Sequence, residues 1–333
     1  MPNKLKDAVR HKFARKNYNQ RDWKAYDQTL VNQGSITIWF NEEAISQWNQ
    51  AKPLKLPRGR PRIYSELAIQ TCHALRFLNK KALRQTQGFI ASIIAMLKLP
   101  LQTPDHTTLS RRLQTIKLPR KVLERKPGDH SRSSGSLIVI VDSTGLKVMG
   151  EKEWMNYKHG TRQRKVWRKL HIAVDETGEI IAHELTTHTT GDSSTVEPLL
   201  EQIEQPVSEF IGDGGYDHPP TYNAIKIHRD RHLQGEPEII IPPNIGFKSI
   251  TDDDHDSRKT NQKIIEEQGR EKWQKQTGYS RRGVSENTFW RYKAVIGNKI
   301  HSKHDAAQKN EVHIGILVLN KFHKMGMPKS KAA

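Results

Sequence analysis

The chain has 333 residues, and 55 Lys and Arg against 36 Asp and Glu give it a formal net charge of +19. Its longest apolar runs, such as Leu137–Val141 and Ile314–Leu319, fall far short of the roughly 18 residues of a membrane span. The basic N-terminus lacks the apolar stretch of a secretory signal, and the single cysteine, Cys72, excludes an intramolecular disulfide framework. Membrane and disulfide-rich secreted classes are therefore excluded, and a cytoplasmic protein with a polyanionic partner, most often nucleic acid, is expected.

The charge is uneven. Residues 1–130 hold 25 Lys/Arg and 9 Asp/Glu, and residues 131–333 hold 30 and 27. Such asymmetry suggests a nucleic-acid-binding part joined to a near-neutral domain with another task.

In chain order, residues 1–50 read as a basic arm. Within it Ser35–Phe40 (SITIWF) is predicted as a short strand. Asn41 with Glu42 and Glu43 marks a helix start. Residues 51–62 carry three prolines and five basic residues and read as a linker. Its Arg58 and Arg60 suit an A·T-rich minor groove, or equally a solvated linker. Residues 51–130 otherwise form a helical region. Ser65 caps one helix, Ala82–Leu97 is a second, and Thr103 or Asp105 caps a third over Thr107–Ile116. Three helices with Arg111 and Arg112 on the last suit a helix-turn-helix-like DNA reader. Plain helical packing is the alternative.

After a second linker at residues 118–134 the pattern changes. Leu137–Val141, Lys169–Val174, Glu179–Leu185, Val207–Ile211 and Glu238–Ile241 are predicted strands. Asp175–Gly178 is a hairpin turn, and Asp192 is the candidate cap of a helix over Ser193–Ile203. Pro220–Ile227 is predicted helical. Residues 244–278 read as polar and irregular, and residues 242–278 as an insertion. Helices follow over about Arg282–Ile296 and Lys309–Phe322. This order describes an α/β domain over residues 131–325 with a mixed sheet flanked by helices, followed by a short tail.

Asp142 is predicted to end the first strand and Asp213 the fourth, the strand ends where ligand chemistry gathers in open α/β sheets. The third piece is Tyr279-x2-Arg282-x3-Glu286-x6-Lys293. At about 100° per residue these four fall within an arc of roughly 60°, if one helix spans them all. Carboxylates converging from separate elements can hold two Mg²⁺ or Mn²⁺ ions. Such a pair supports phosphodiester displacement.

These residues resemble bacterial insertion-sequence transposases of the DDE class, whose catalytic domain is RNase H-like. The Tyr-x2-Arg-x3-Glu-x6-Lys spacing matches their pattern. Asp142-Ser143-Thr144 and Asp213-Gly214-Gly215-Tyr216-Asp217 resemble the surroundings of their first two acids. Arg168-Lys169-Leu170-His171 and Gly191-Asp192-Ser193 are similar too. The resemblance implies that Asp142, Asp213 and Glu286 form a metal-binding catalytic triad, and that Tyr279, Arg282 and Lys293 contact DNA phosphates. It also implies cutting at the inverted repeats that end the element, strand transfer to target DNA, and a homodimer on DNA. A transposase-derived binding protein without catalysis, or a metal-dependent nuclease, are the rival readings.

Other features compete for a role. Asp217 lies four residues after Asp213 but resembles a helix start. Asp252, Asp253, Asp254 and Asp256 around His255 read as a solvated loop. Trp154 and Trp167 flank a basic stretch, Lys158–Lys165, that either touches DNA with a tryptophan stacked on a displaced base or belongs to a hairpin extension in which the two tryptophans pack. His183 and His188 lack zinc spacing with the cysteine, and Cys72 is a small core residue.

Overall fold

The computed structural model describes residues 23–49, 61–118, 137–148, 167–233, 235–244 and 256–326. The described residues open on α1 (Trp23–Gln33) and a 3₁₀ turn at Ile36–Ile38. The turn replaces the strand predicted over Ser35–Phe40. Ser35 caps it by accepting from the Thr37 amide at 3.3 Å, and Trp39 and Phe40 are buried in a helical core. Packing of the two aromatics outweighs the β propensity of the segment. Asn41 caps α2 (Glu42–Ser46), Ser65 caps α3 (Glu66–Leu78), and α4 spans Leu83–Met96. Asp105 caps α5 (His106–Thr115), its Oδ1 accepting from the amides of Thr107 and Thr108 at 2.8 Å.

The sheet begins with β1 (Leu137–Val148), β2 (Trp167–Val174) and β3 (Ile180–Thr187), an antiparallel meander. Gly178, at φ +86°, supplies the left-handed position of the β2–β3 turn. A 3₁₀ turn and α6 (Val196–Leu200) lead to β4 (Val207–Ile211). Then α7 (Pro219–His232) leads to β5 (Glu238–Ile240). The sheet order is β3-β2-β1-β4-β5, with β4 parallel to β1 and β5 parallel to β4. This is the mixed sheet of the RNase H-like class.

Two expectations fail here. β1 runs seven residues past Val141, because β2 pairs with it from Ile140 to Lys147. Asp142 is thus inside the strand rather than at its end; the polar run Asp142–Gly145 hid the continuation. Residues 256–277 are not irregular either: α8 (Asp256–Gln268) and α9 (Arg270–Thr277) lie there. Their polar composition masked two helices that bury Trp273 completely, its indole donating to Asn261 Oδ1 at 2.8 Å. The chain ends on α10 (Gly283–Val295), β6 (Lys299–Ile300) beside the far end of β1, and α11 (Asp305–Lys324).

Strand alternation sorts β1 between two cores. Ile140 and Leu146 pack with Trp273, Phe289, Tyr292 and Ile316 under α9, α10 and α11. Val139 and Val141 pack with Val196, Leu199, Phe210 and Tyr216 under α6 and α7. The helical region is not a detached module. Ala307, Ile314, Val318 and Phe322 of α11 complete its core around Trp48, Ile69, Leu109 and Leu113. Asn310 donates to the Leu113 carbonyl at 2.8 Å, and Lys321 to that of Ile38 at 2.6 Å.

Two core histidines set a pH limit on this packing. Burial, with help from the Arg76 charge, lowers His73 to about 4, and burial lowers His313 to about 4. The ordinary value is near 6.5. Both are neutral in the fold, so between those values the unfolded chain binds more protons. Their contribution is complete above pH 6.5 and is lost as the pH falls toward 4. The urea midpoint is expected to drop across this window, and His313→Gln is expected to flatten the slope. A midpoint flat from pH 6.5 to 4 in the wild type contradicts this.

Candidate active site

Strand register places the first two acids. Ile140 of β1 pairs with Ile211 of β4. Two residues beyond each come Asp142, still within β1, and Asp213, just past the end of β4. The pairing of Ile140 with Ile211 brings the two carboxyls to the same place, close enough for the Asp213 charge to act on Asp142. Beyond Ile211 the chain turns into a 3₁₀ turn, Gly214–Tyr216, which Asp213 caps by accepting from the Gly215 amide at 2.8 Å. A Cβ on Gly215 would lie 3.0 Å from Asp213 Oδ1, so a side chain there would crowd the carboxylate. Asp142 Oδ1 accepts from the Ser143 amide at 2.8 Å. Burial pushes the Asp142 carboxyl upward and the Asp213 charge adds to this, against the hydrogen bonds from Ser143 and Ser285 and the charge of Arg282.

The third acid arrives on α10. The single helix face expected from Tyr279 to Lys293 is broken. Gly278, at φ +66°, ends α9, and Tyr279–Arg282 forms a 3₁₀ turn before α10 begins. Arg281 fastens this turn, bonding the Glu209 carboxylate of β4 and the carbonyls of Thr277 and Gly278. The Tyr279 ring packs 5.0 Å from that of Trp273. Arg282 Nη1 lies 3.3 Å from Asp142 Oδ2, and its Nη2 bonds the Glu286 carboxylate. Ser285 donates to Asp142 Oδ2 at 2.9 Å, and Lys293 to Thr144 Oγ1 at 2.6 Å.

The structure therefore gathers Asp142, Asp213, Glu286, Tyr279, Arg282 and Lys293 where β1 and β4 part. Burial disfavours charge on Arg282, but Tyr279, Asp142, Glu286 and Asp213 outweigh it and raise the guanidinium. Burial raises the Tyr279 phenol, with Asp213 and Asp142 adding to it against Arg282 and Arg270.

Other candidates are placed elsewhere. Arg111 is exposed on α5. Arg112 is not: it is 7% exposed, and Nη1 donates to the Tyr64 carbonyl at 2.8 Å. It shares the inward face of α5 with Leu109 and Leu113, which corrects its expected role at DNA. Arg58, Arg60, Trp154, Lys158–Lys165, Asp252, Asp253, Asp254 and His255 lie outside the described residues. Trp167 packs against Gly145, whose Cβ position is 3.2 Å from its ring. Asp217 is fully buried, accepting from Arg258 Nε at 2.9 Å, Tyr222 at 2.7 Å and the Asn244 amide at 2.7 Å. It holds the loop after β5 and does not compete with Asp213.

Asp192 is not the helix cap it was expected to be. Its Oδ2 accepts from Lys169 at 2.8 Å, and its Oδ1 stands 3.3 Å from His171 Nδ1. Burial would raise its carboxyl, but hydrogen bonds from His171, Lys169 and Ser143 hold it well below the usual range. Ser285, Thr144 and Arg281 were missed in the sequence. Only Ser285 carried a faint signal, one turn beyond Arg282 on the same helix.

The donor chemistry fits a hard divalent cation: three carboxylates, with one guanidinium already spanning Asp142 and Glu286. Among the described residues no three His, Cys, Asp or Glu side chains stand close enough to hold an ion as they are. Glu286 is spent on Arg282.

Two aspartates brought together by adjacent parallel strands of a mixed sheet, faced by a glutamate on a packed helix, are the arrangement of the DDE class of RNase H-like proteins. Two family models, both described as Transposase DDE domain, match residues 31–151 and 133–321. The second spans more than half of the chain, and the chain belongs to the DDE transposase family. Among the described residues no helix is long and apolar enough to cross a membrane.

Proposed function

We propose that this transposase binds the terminal inverted repeats of its own insertion sequence, cleaves the phosphodiester bonds at the element ends, and joins the freed 3′-OH ends to target DNA. The observation that carries this reading is the meeting of Asp142 within β1, Asp213 just past β4 and the Arg282–Glu286 pair. Asp142, Asp213 and Glu286 are the catalytic set and would hold Mg²⁺ or Mn²⁺, two ions when DNA is bound. Bound ions supply Lewis-acid stabilisation of the attacking and leaving oxygens.

The chain's own residues do the rest. Arg282 releases Glu286 and moves to the scissile phosphate, freeing the carboxylate for the acid set. Lys293 and Tyr279 contact flanking phosphate oxygens, fixing the strand in line with the nucleophile. Water attacks first, breaking a P–O bond and leaving a 3′-OH. That hydroxyl then attacks a target phosphate, expelling a target 3′ oxygen, with no covalent protein intermediate.

Residues 1–50 and 51–130, with Arg111 exposed on α5, grip the ends, and Arg58 and Arg60 lie in the adjoining minor groove. Residues 131–325 perform the chemistry, as a homodimer on DNA in the bacterial cytoplasm beside the nucleoid. Purified protein, end-bearing duplex, a target plasmid and Mg²⁺ test this. Joined products are expected. Nicks without joining indicate a nuclease, and a gel shift without cutting indicates a binding protein; either overturns the reading.

A further inference from the structure

A second polar group lies on the sheet face away from α10, where Asp142, Arg282 and Ser285 have no part in it. Lys169 and His171 of β2 and Ser143 of β1 alternate onto this face with Val141 and Ala173. All three converge on Asp192, which precedes α6. Lys169 donates to its Oδ2 at 2.8 Å, His171 Nδ1 stands 3.3 Å from its Oδ1, and Ser143, paired with His171 across β1 and β2, borders it and lowers its carboxyl. His171 is fully buried and held from both sides, by Thr186 Oγ1 at 2.9 Å and Thr195 Oγ1 at 3.1 Å. Thr195 also donates to the Asp192 carbonyl at 2.7 Å. Asp192 is therefore braced from strand, turn and helix.

Two contacts lead from Asp192 to the acids on the other side. Ser143, which borders Asp192 beside His171, gives its backbone amide to Asp142 Oδ1 at 2.8 Å. Gly215, whose Cβ position is 3.8 Å from Asp192 Oδ2, gives its amide to Asp213 Oδ1 at 2.8 Å. Both amides that aim the two aspartates thus border one carboxylate. A third observation marks the same spot. Tyr216 follows Gly215, is 1% exposed, and its hydroxyl lacks a hydrogen-bond partner among the described residues. The charges of Asp192, Asp142 and Asp213 all reach that phenol. A buried hydroxyl without a partner is costly unless function needs it.

We propose that Asp192 is a positioning residue for the reaction: braced by Lys169 and His171, it fixes Ser143 and the Gly214–Gly215 turn, and so sets the separation and aim of Asp142 and Asp213 toward divalent cations. This rests on the reading that those two acids hold ions. Residues that orient metal ligands from outside typically affect metal affinity by about 10- to 100-fold.

The test is Mn²⁺ binding to the full chain without DNA, read from the paramagnetic resonance signal of free Mn²⁺, with Asp192→Ala, Asp192→Asn and Ser143→Ala. Asp192→Ala is expected to weaken Mn²⁺ binding within that range, Ser143→Ala to weaken it less, and Asp192→Asn to fall between. In cleavage, the Mg²⁺ concentration for half-maximal rate rises while DNA affinity stays unchanged. If Asp192→Ala fails to fold by circular dichroism, the other two variants decide. Wild-type Mn²⁺ affinity and Mg²⁺ dependence in every folded variant overturn the positioning role alone. A wild type that binds no Mn²⁺ either alone or, beyond what the DNA itself takes up, with end-bearing duplex overturns the metal reading beneath it.

Discussion

Asp142→Ala is expected to reduce Mg²⁺-dependent cleavage of end-bearing DNA by about a hundred- to a thousandfold, the scale of losing a group aimed at developing charge. The variant removes the acceptor shared by Ser285, Arg282 and the Ser143 amide. It also removes the carboxylate whose charge Asp213 faces. Nothing on the exposed face of α5 touches that carboxylate, so a gel shift on the ends is expected to be unchanged. The fold is expected to tolerate the change, because burial already works against the Asp142 charge. Retained nicking by the alanine variant would remove Asp142 from the chemistry.

Arg258→Ala is expected to act on stability instead. Asp217 is fully buried, and Arg258 meets it through Nε at 2.9 Å and Nη2 at 3.1 Å. Among the described residues, removing the guanidinium leaves the buried carboxylate with Tyr222 and the Asn244 amide. Stranding one partner of a buried pair costs about 3–5 kcal/mol, against a total of about 5–15 kcal/mol for an ordinary domain. Thermal denaturation would show a Tm many degrees lower. The pair Asp217→Leu with Arg258→Met is expected to lose much less, since an apolar pair of similar volume strands no charge. An unchanged Tm in Arg258→Ala would show that the ion pair carries no weight.

Most of the architecture was readable where side-chain chemistry is local. Asn41, Ser65 and Asp105 each cap a helix as their residue types predict. Val207–Ile211 is a strand because five residues between a proline and a glycine leave little choice. Reading failed where neighbours decide. β1 continues through Asp142, Ser143 and Thr144 only because β2 lies alongside. α8 and α9 are polar outside and reach the core through Trp273 and the adjacent Ile264 and Ile265, too few for an apolar stripe to announce them. The site was legible in the spacing Tyr279-Arg282-Glu286-Lys293, yet the left-handed Gly278 and the 3₁₀ turn replaced the helix face assumed for it. Arg112 was misread because an arginine on a short helix gives no sign of which face is covered. Asp192 was misread for a different reason: a carboxylate before a helix usually caps it, and only the approach of Lys169 from β2 gives it another task.

The central claim is that Asp142, Asp213 and Glu286 act as one set on a phosphodiester. The most direct measurement compares Asp142→Asn, Asp213→Asn and Glu286→Gln, near-isosteric changes that remove one negative charge each. All are assayed for release of a labelled 3′-OH end in Mg²⁺ at matched DNA occupancy. The account predicts that all three lose cleavage together while still binding the ends. Any one of them cleaving at the wild-type rate would contradict it.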